Sequence, residues 1–122
     1  MRRRARLIAH PGSIIKVVEY IRCTLTDQAR GDVLQRGYAT ATKQLDAAPE
    51  CLAYELTQCE EDSKSWILRI EWQSTEAHLQ GFRKGPHFPA FLEAIRGFMP
   101  EIAEMRHYRI TDIQSRKPGN YG

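Results

Sequence analysis

The sequence predicts an α+β domain of the ferredoxin-like βαββαβ kind, a four-stranded antiparallel sheet with its helical regions on one face. Three observations predict it. Two-residue alternation of apolar and polar side chains recurs over residues 14–25, 51–59, 65–73 and 104–113. A long segment of helical periodicity separates the first two of these stretches, and a helical pair separates the last two. Only the polar turn at residues 60–64 parts the second from the third, so those two strands should form an antiparallel hairpin.

The first strand, 14–25, is rich in β-branched residues, with Ile21, Cys23 and Leu25 on one face and Tyr20, Arg22 and Thr24 on the other. Thr26 or Asp27 then caps a helix reaching to about residue 47. Its stripe of Ala29, Val33, Gly37, Ala41 and Leu45 recurs every four residues, with Leu34 and Tyr38 beside it. Side chains this small let a helix lie close to a sheet, or leave room for a ligand between them. Pro49 stops the helix, and the second strand, 51–59, turns Leu52, Tyr54 and Leu56 one way and Ala53, Glu55 and Thr57 the other. In the third strand, 65–73, Trp66, Leu68, Ile70 and Trp72 alternate with Ile67, Arg69 and Glu71.

Ser74 ends that strand and is placed to cap a short helix over about 75–83, with the Glu76 carboxylate in its first turn. Gly85, Pro86, His87 and Phe88 join it to a stronger helix whose one face carries Phe88, Phe91, Leu92, Ile95, Phe98, Met99 and Ile102, broken near Pro100. Each fully buried Phe there contributes on the order of 1.5–3 kcal/mol. The last strand follows at 104–113. Residues 1–13 are expected to form a basic, flexible N-terminal tail, 14–113 the folded domain, and 114–122 a polar C-terminal tail.

Charge and cysteine content narrow the function classes. The net charge is +3, but Arg2, Arg3, Arg4 and Arg6 supply four of the 18 basic residues, leaving 14 against 15 acidic, a net −1, for the rest. A body of that balance is not built for nucleic acid. Cys23, Cys51 and Cys59 are odd in number, lie in the predicted strands and lack metal-ligand spacing, so no metal site and no disulfide is expected. No apolar run is long enough to span a bilayer, and the N-terminus lacks a secretory apolar core; a cytoplasmic location is expected.

The sheet face away from the helices should carry Val18, Tyr20, Arg22, Ala53, Glu55, Ile67, Arg69, Glu71, His107 and Arg109. That set is too polar for a dry core, yet its arginines and glutamates make it self-complementary about a two-fold axis. A homodimer through this face is the expectation, with Arg22, Glu55, Arg69, Glu71, His107 and Arg109 in the interface.

The junction from Trp72 to Phe88 is the place to seek a ligand. A strand ending in Trp72, then Glu76 and Ala77, then Gly85-Pro86-His87-Phe88 with Phe91 three on, resembles the antibiotic biosynthesis monooxygenase superfamily over about residues 14–113. The resemblance implies a dimeric α/β barrel with a pocket between sheet and helices in each subunit. It also implies oxygenation of a quinol, phenol or polycyclic aromatic by O₂ without flavin, heme or metal.

That chemistry asks little of the protein. A phenol ionised to its anion reduces O₂ by itself, given a base, an apolar cavity and donors for the oxyanion. The catalytic candidates are His78, as proton acceptor, and Trp72, shaping the cavity; the substrate-binding candidates are Tyr38, Leu68, His87, Phe88 and Phe91. Leu68 and His78 stand where the polyketide-tailoring branch of the family carries Asn and Tyr. The heme-degrading branch's Asn on the first strand, Trp in the short helix and His in the next are all missing, leaving a quinol-oxidising or unassigned branch as the nearest fit. The alternative is a non-catalytic small-ligand-binding or stress-associated dimer of the same fold.

Overall fold

A computed structural model describes residues 16–118, so the arginine cluster of the N-terminus and the beginning of the first predicted strand lie outside the described residues. The strands are β1 (Val17–Thr24), β2 (Cys51–Gln58), β3 (Ser65–Trp72) and β4 (Ile102–Arg109). Two α-helices, α1 (Gly31–Ala47) and α2 (Phe88–Ile95), complete the βαββαβ plan. All neighbouring strands run antiparallel in the order β2-β3-β1-β4, which puts β1 and β3 in the middle of the sheet.

Alternation in β1 and β3 behaves as the sequence implies: Val17, Ile21, Cys23, Trp66, Leu68, Ile70 and Trp72 are all buried on the helix side. The α1 stripe is rotated from its expected position. Leu34, Tyr38, Ala41 and Leu45 are buried, whereas Ala29 precedes the helix and Val33 is 43% exposed. Asp27 does cap, but it caps a 3₁₀ turn (Gln28–Arg30), accepting from the Ala29 N–H at 2.9 Å, and the α-helix begins only at Gly31. Gly37 faces Phe98 on the neighbouring helical layer, where a Cβ would run into the ring and the Ala94 carbonyl. Its smallness thus serves helix-to-helix contact.

Three further expectations change. Leu52 sits in a register shift between Cys51 and Ala53 and is exposed, so it does not join Tyr54 and Leu56. Cys59 lies beyond the end of β2 and is exposed, whereas Cys23 is buried. The strong helix ends at Ile95, and a 3₁₀ turn (Arg96–Glu101) around Pro100 leads directly into β4, which therefore spans Ile102–Arg109 and not 104–113.

The register of β4 decides the site. Its pairing with β1 sets His107 opposite Glu19, Met105 opposite Ile21 and Arg109 opposite Val17. Directly opposed residues share a face, so His107 and Arg109 belong to the helix side and not to the outer face. Tyr108, Arg106 and Glu104 take their places outside, opposite Val18, Tyr20 and Arg22. A register shift between Arg22 and Cys23 sets this parity, and both rows of β4 mix polar with apolar residues, so hydrophobic alternation alone does not choose between them.

Candidate functional site

The short segment after β3 begins as expected, with Ser74 Oγ accepting from the Ala77 N–H at 2.9 Å. It then winds as a π-helix over Ala77–Phe82. The Arg83 N–H bonds to the carbonyl of His78, five residues back, at 2.9 Å. This wider turn brings residues four and five apart onto one face, so Phe82 and Arg83 both come to lie against the ring of His78. Arg83 Nε donates to His78 Nε2 at 3.3 Å.

The ring of His78 is buried and lies flat on Trp72, with centroids 4.3 Å apart and planes 8° from parallel. Its Nδ1 is 2.7 Å from Nε2 of His107. Since Nε2 of His78 accepts from Arg83, Nδ1 carries the proton and donates to His107. Behind both rings stands Glu19, buried on the central strand. Its Oε1 accepts from Trp72 Nε1 at 3.0 Å, while Oε2 has no partner among the described residues. Glu19 was overlooked on sequence although the signal was there: a carboxylate on the apolar row of β1, between Val17 and Ile21.

Burial dominates the electrostatics. It lowers the His78 pKa to about 3, with help from the neighbouring positive charge of Arg83 and from His107. His107 is also lowered, by burial and then by Arg83. Glu19 is raised by burial, against the opposing Trp72 hydrogen bond and the attraction of Arg83. Both imidazoles are neutral at pH 7, so the 3.7 Å approach of His78 Nδ1 to Glu19 Oε1 is not an ion pair.

Glu19, Trp72, His78 and Arg83 form one wall of an apolar cavity of about 50 Å³, whose other walls include Ile70, Phe82, Phe88, Phe91, Met99 and Met105, with His107 behind His78. Phe82 meets Phe91 edge to face at 5.3 Å, and Arg83 lies over Phe88 at 6.0 Å. Arg83 is therefore part of the site and not a solvated surface charge.

Of the candidate residues, the structure brings Trp72, His78, Phe88 and Phe91 together around this cavity. Tyr38 and Leu68 instead line a separate, shallower recess of about 290 Å³ beside β2, with Tyr54 and Trp66. Tyr38 stacks on Phe98, and its hydroxyl faces Cys23 Sγ at 3.9 Å; burial raises the pKa of both groups. His87 lines neither space. It precedes α2, where its carbonyl accepts from the Phe91 N–H. The residues missed on sequence are Glu19, His107 and Arg83's contact to His78, all joined by pairings distant in the chain or by the π-turn.

Among known proteins, a relative in Bacillus subtilis (strain 168), the uncharacterized protein YczJ, is 22% identical over 58 residues, 48% of this chain and 61% of its own. The chain thus spans less than two-thirds of that relative's length. In fold it is similar to SnoaB, a cofactor-independent oxygenase from Streptomyces nogalater, at 17% identity and TM-score 0.60, covering 83% of this chain and 96% of that one. It is also similar to a candidate antibiotic biosynthesis monooxygenase from Bordetella bronchiseptica, at 19% identity and TM-score 0.65, covering 80% and 98%. The sequence pattern of the antibiotic biosynthesis monooxygenases matches residues 16–94, from the start of β1 into α2 and through every element that builds the Trp72–His78 wall except β4. The chain belongs to the antibiotic biosynthesis monooxygenase family.

Proposed function

We propose that the protein is a cofactor-independent oxygenase of a small phenol or quinol, with the cavity beside Trp72 and His78 as its site. One observation carries this reading: a buried, neutral imidazole, held flat against Trp72, lies with Glu19 and Arg83 in the polar wall of an otherwise aromatic and aliphatic cavity. An apolar space favours both O₂ and an aromatic ring, and the neutral histidine offers a lone pair to a hydroxyl. With a pKa of about 3 it is a weak base in the closed cavity, and it gains basicity only as Arg83 turns away and a phenolate pairs with the imidazolium.

The geometry suggests how. A substrate hydroxyl entering beside Arg83 displaces its N–H from His78 Nε2 and gives that nitrogen its proton. The freed guanidinium then holds the phenolate oxygen, while the Nδ1–H of His78, bonded to His107 with Glu19 behind it, steadies the imidazolium. The phenolate supplies the electrons for O₂. A C–O bond forms at a ring carbon whose C–H bond breaks, the O–O bond breaks, and the second oxygen leaves as water with that hydrogen and the proton held by His78. The ring ends as a quinone, so all four electrons come from the substrate and no external reductant is required.

The cavity must open for this to happen. Its volume of about 50 Å³ is roughly a third of the ~150 Å³ that admits a benzene ring. Met99 and Met105 line it and are 42% and 41% exposed, and unbranched thioethers swing aside at little cost. The weak basicity of His78, whose pKa is about 3, favours the second reading, a small-ligand-binding protein without turnover.

Oxygen uptake with a panel of reduced quinols and phenols tests the choice. Uptake that depends on the protein, and that falls at least about 100-fold in His78→Ala, supports a proton acceptor. Saturable ligand binding with no uptake sinks catalysis and leaves the binding reading. In either case we propose that the working unit is a homodimer through the outer sheet face.

A further inference from the structure

We propose that Glu19, His78 and His107 form a three-ligand site for a divalent transition-metal ion, at the edge of the cavity that Glu19 and His78 line. Each residue offers one ligand atom, and these atoms all lie within 4.8 Å of one another. Two imidazoles and a carboxylate are a donor set that suits zinc, iron(II) or cobalt(II), and three protein ligands leave positions open for a bound molecule.

The atoms are close to where an ion needs them. Ligands at about 2.1 Å around a tetrahedral ion are roughly 3.4 Å apart. Here His78 Nδ1 stands 2.7 Å from His107 Nε2 and 3.7 Å from Glu19 Oε1. The ion would replace the single proton that the two rings now share, widening one separation by several tenths of an ångström.

A second observation points the same way. Glu19 is 1% exposed, and its Oε2 is a buried acceptor with no partner among the described residues. A buried carboxylate with only one of its two oxygens hydrogen-bonded is costly unless a cation sometimes meets it. Trp72 Nε1 already orients the carboxylate through Oε1, the oxygen 3.7 Å from His78 Nδ1, as outer partners do for metal-bound carboxylates. The three ligands also come from well-held places, with Glu19 and His107 directly paired across β1 and β4 and His78 in the π-turn.

Arg83 opposes the ion. Coordination through Nδ1 moves the His78 proton to Nε2, so Arg83 must surrender its 3.3 Å contact and turn toward Phe88 or the cavity mouth. With Glu19 ionised, a divalent ion and Arg83 leave a net positive site. An anionic oxygen donor in the open position, such as a phenolate, completes it. The remaining cavity walls, Ile21, Ile70, Phe82, Phe91 and Ile102, bring no competing charge.

An ion on His78 Nδ1 displaces the N–H that bonds to His107, so ion binding and the proton-acceptor role of His78 exclude one another in a given molecule, and metal binding is measured without any substrate. Chelator-treated full-length protein is titrated with Zn²⁺ by calorimetry and with Co²⁺ by visible absorption. The expected result is one ion per chain, a Zn²⁺-dependent rise in melting temperature, and loss of both in Glu19→Gln and in His107→Gln. Trp72→Phe, which keeps all three ligands, is expected to weaken binding about 10–100-fold. Should one ligand variant fail to fold, the other and Trp72→Phe still read the same site. Absence of binding to folded wild-type protein at micromolar concentration, or affinity unchanged in the folded variants, overturns the proposal. Oxygen uptake by the chelated protein then bears only on the oxygenase reading.

Discussion

Glu101 ends the 3₁₀ turn before β4 and gathers the start of the helical layer around one carboxylate. Its Oε1 meets Arg30 Nη2 at 2.7 Å, and its Oε2 accepts from Arg30 Nε and from the Thr26 N–H, both at 2.9 Å. The Arg30 hydrogen bonds hold its pKa below the ordinary 4.5, with Thr26 adding to the effect against burial. A depressed carboxylate stabilises the fold above its unfolded pKa and loses that contribution as pH falls through its folded value. Glu101→Gln is therefore expected to lower stability by about 1–3 kcal/mol at neutral pH. Urea unfolding should show the gap to wild type closing as pH drops below 4.5; a gap that persists in acid would mean the loss is one of packing. Leu68 makes a second case. It stands where the family's polyketide branch places an amide, but it is 1% exposed and lies outside the cavity. Leu68→Asn is expected to cost about 1–3 kcal/mol for the desolvated amide, seen in thermal melts, with no gain in oxygen uptake.

At the scale of elements, the contact of α1 with the second helical layer rests on a missing side chain. A Cβ on Gly37 would meet the Phe98 ring and the Ala94 carbonyl, and backbone does not yield as a side-chain tip does. Gly37→Ala gains about 1 kcal/mol of helix propensity yet is expected to lose about 1–2 kcal/mol net by overpacking, measurable as a lower denaturation midpoint with unchanged slope. The same elements show what a sequence yields. The α+β plan, the strand order along the chain, the 2–3 hairpin and the Ser74 cap were legible because each rests on local periodicity or on one turn. The Trp72–His78–Phe91 grouping was legible for the same reason, since a strand end, a cap and a helix face are all local. His107 was not, because the face a β4 residue takes depends on a register shift against β1 and on no pattern within β4. Arg83 was hidden by the π-turn, as an ordinary α-turn would carry a residue five positions on to another face. Tyr38 was misplaced by a one-position rotation of the helix stripe, which sends it to Phe98 and Cys23.

For the molecule as a whole, the outer sheet face is what its helices leave uncovered. Tyr20 and Tyr108 meet edge to face at 5.5 Å across β1 and β4, and Val18 and Ile67 lie on the same side. Around them, Arg69 pairs with Glu71 at 2.9 Å and Arg22 with Glu104 at 3.6 Å, while Glu55 lies opposite Arg69. Replacing His107 and Arg109 by Tyr108, Arg106 and Glu104 makes this face more aromatic than expected and keeps both signs of charge. An aromatic centre with a mixed-charge surround suits a two-fold contact better than a solvated face, since each arginine can find a glutamate on the second copy. Arg69→Glu sets a third carboxylate beside Glu55 and Glu71 and doubles that repulsion across a two-fold axis. Light scattering after size exclusion should show wild type at twice the chain mass and the variant shifted toward monomer by at least about tenfold in dissociation constant, roughly 1.4 kcal/mol. Far-UV circular dichroism should be unchanged, because Arg69 contributes only part-exposed side-chain contacts, to Glu71 and Tyr20, within its own subunit. A wild-type protein that runs as a monomer at high concentration would leave this face to solvent, as antiparallel sheets allow.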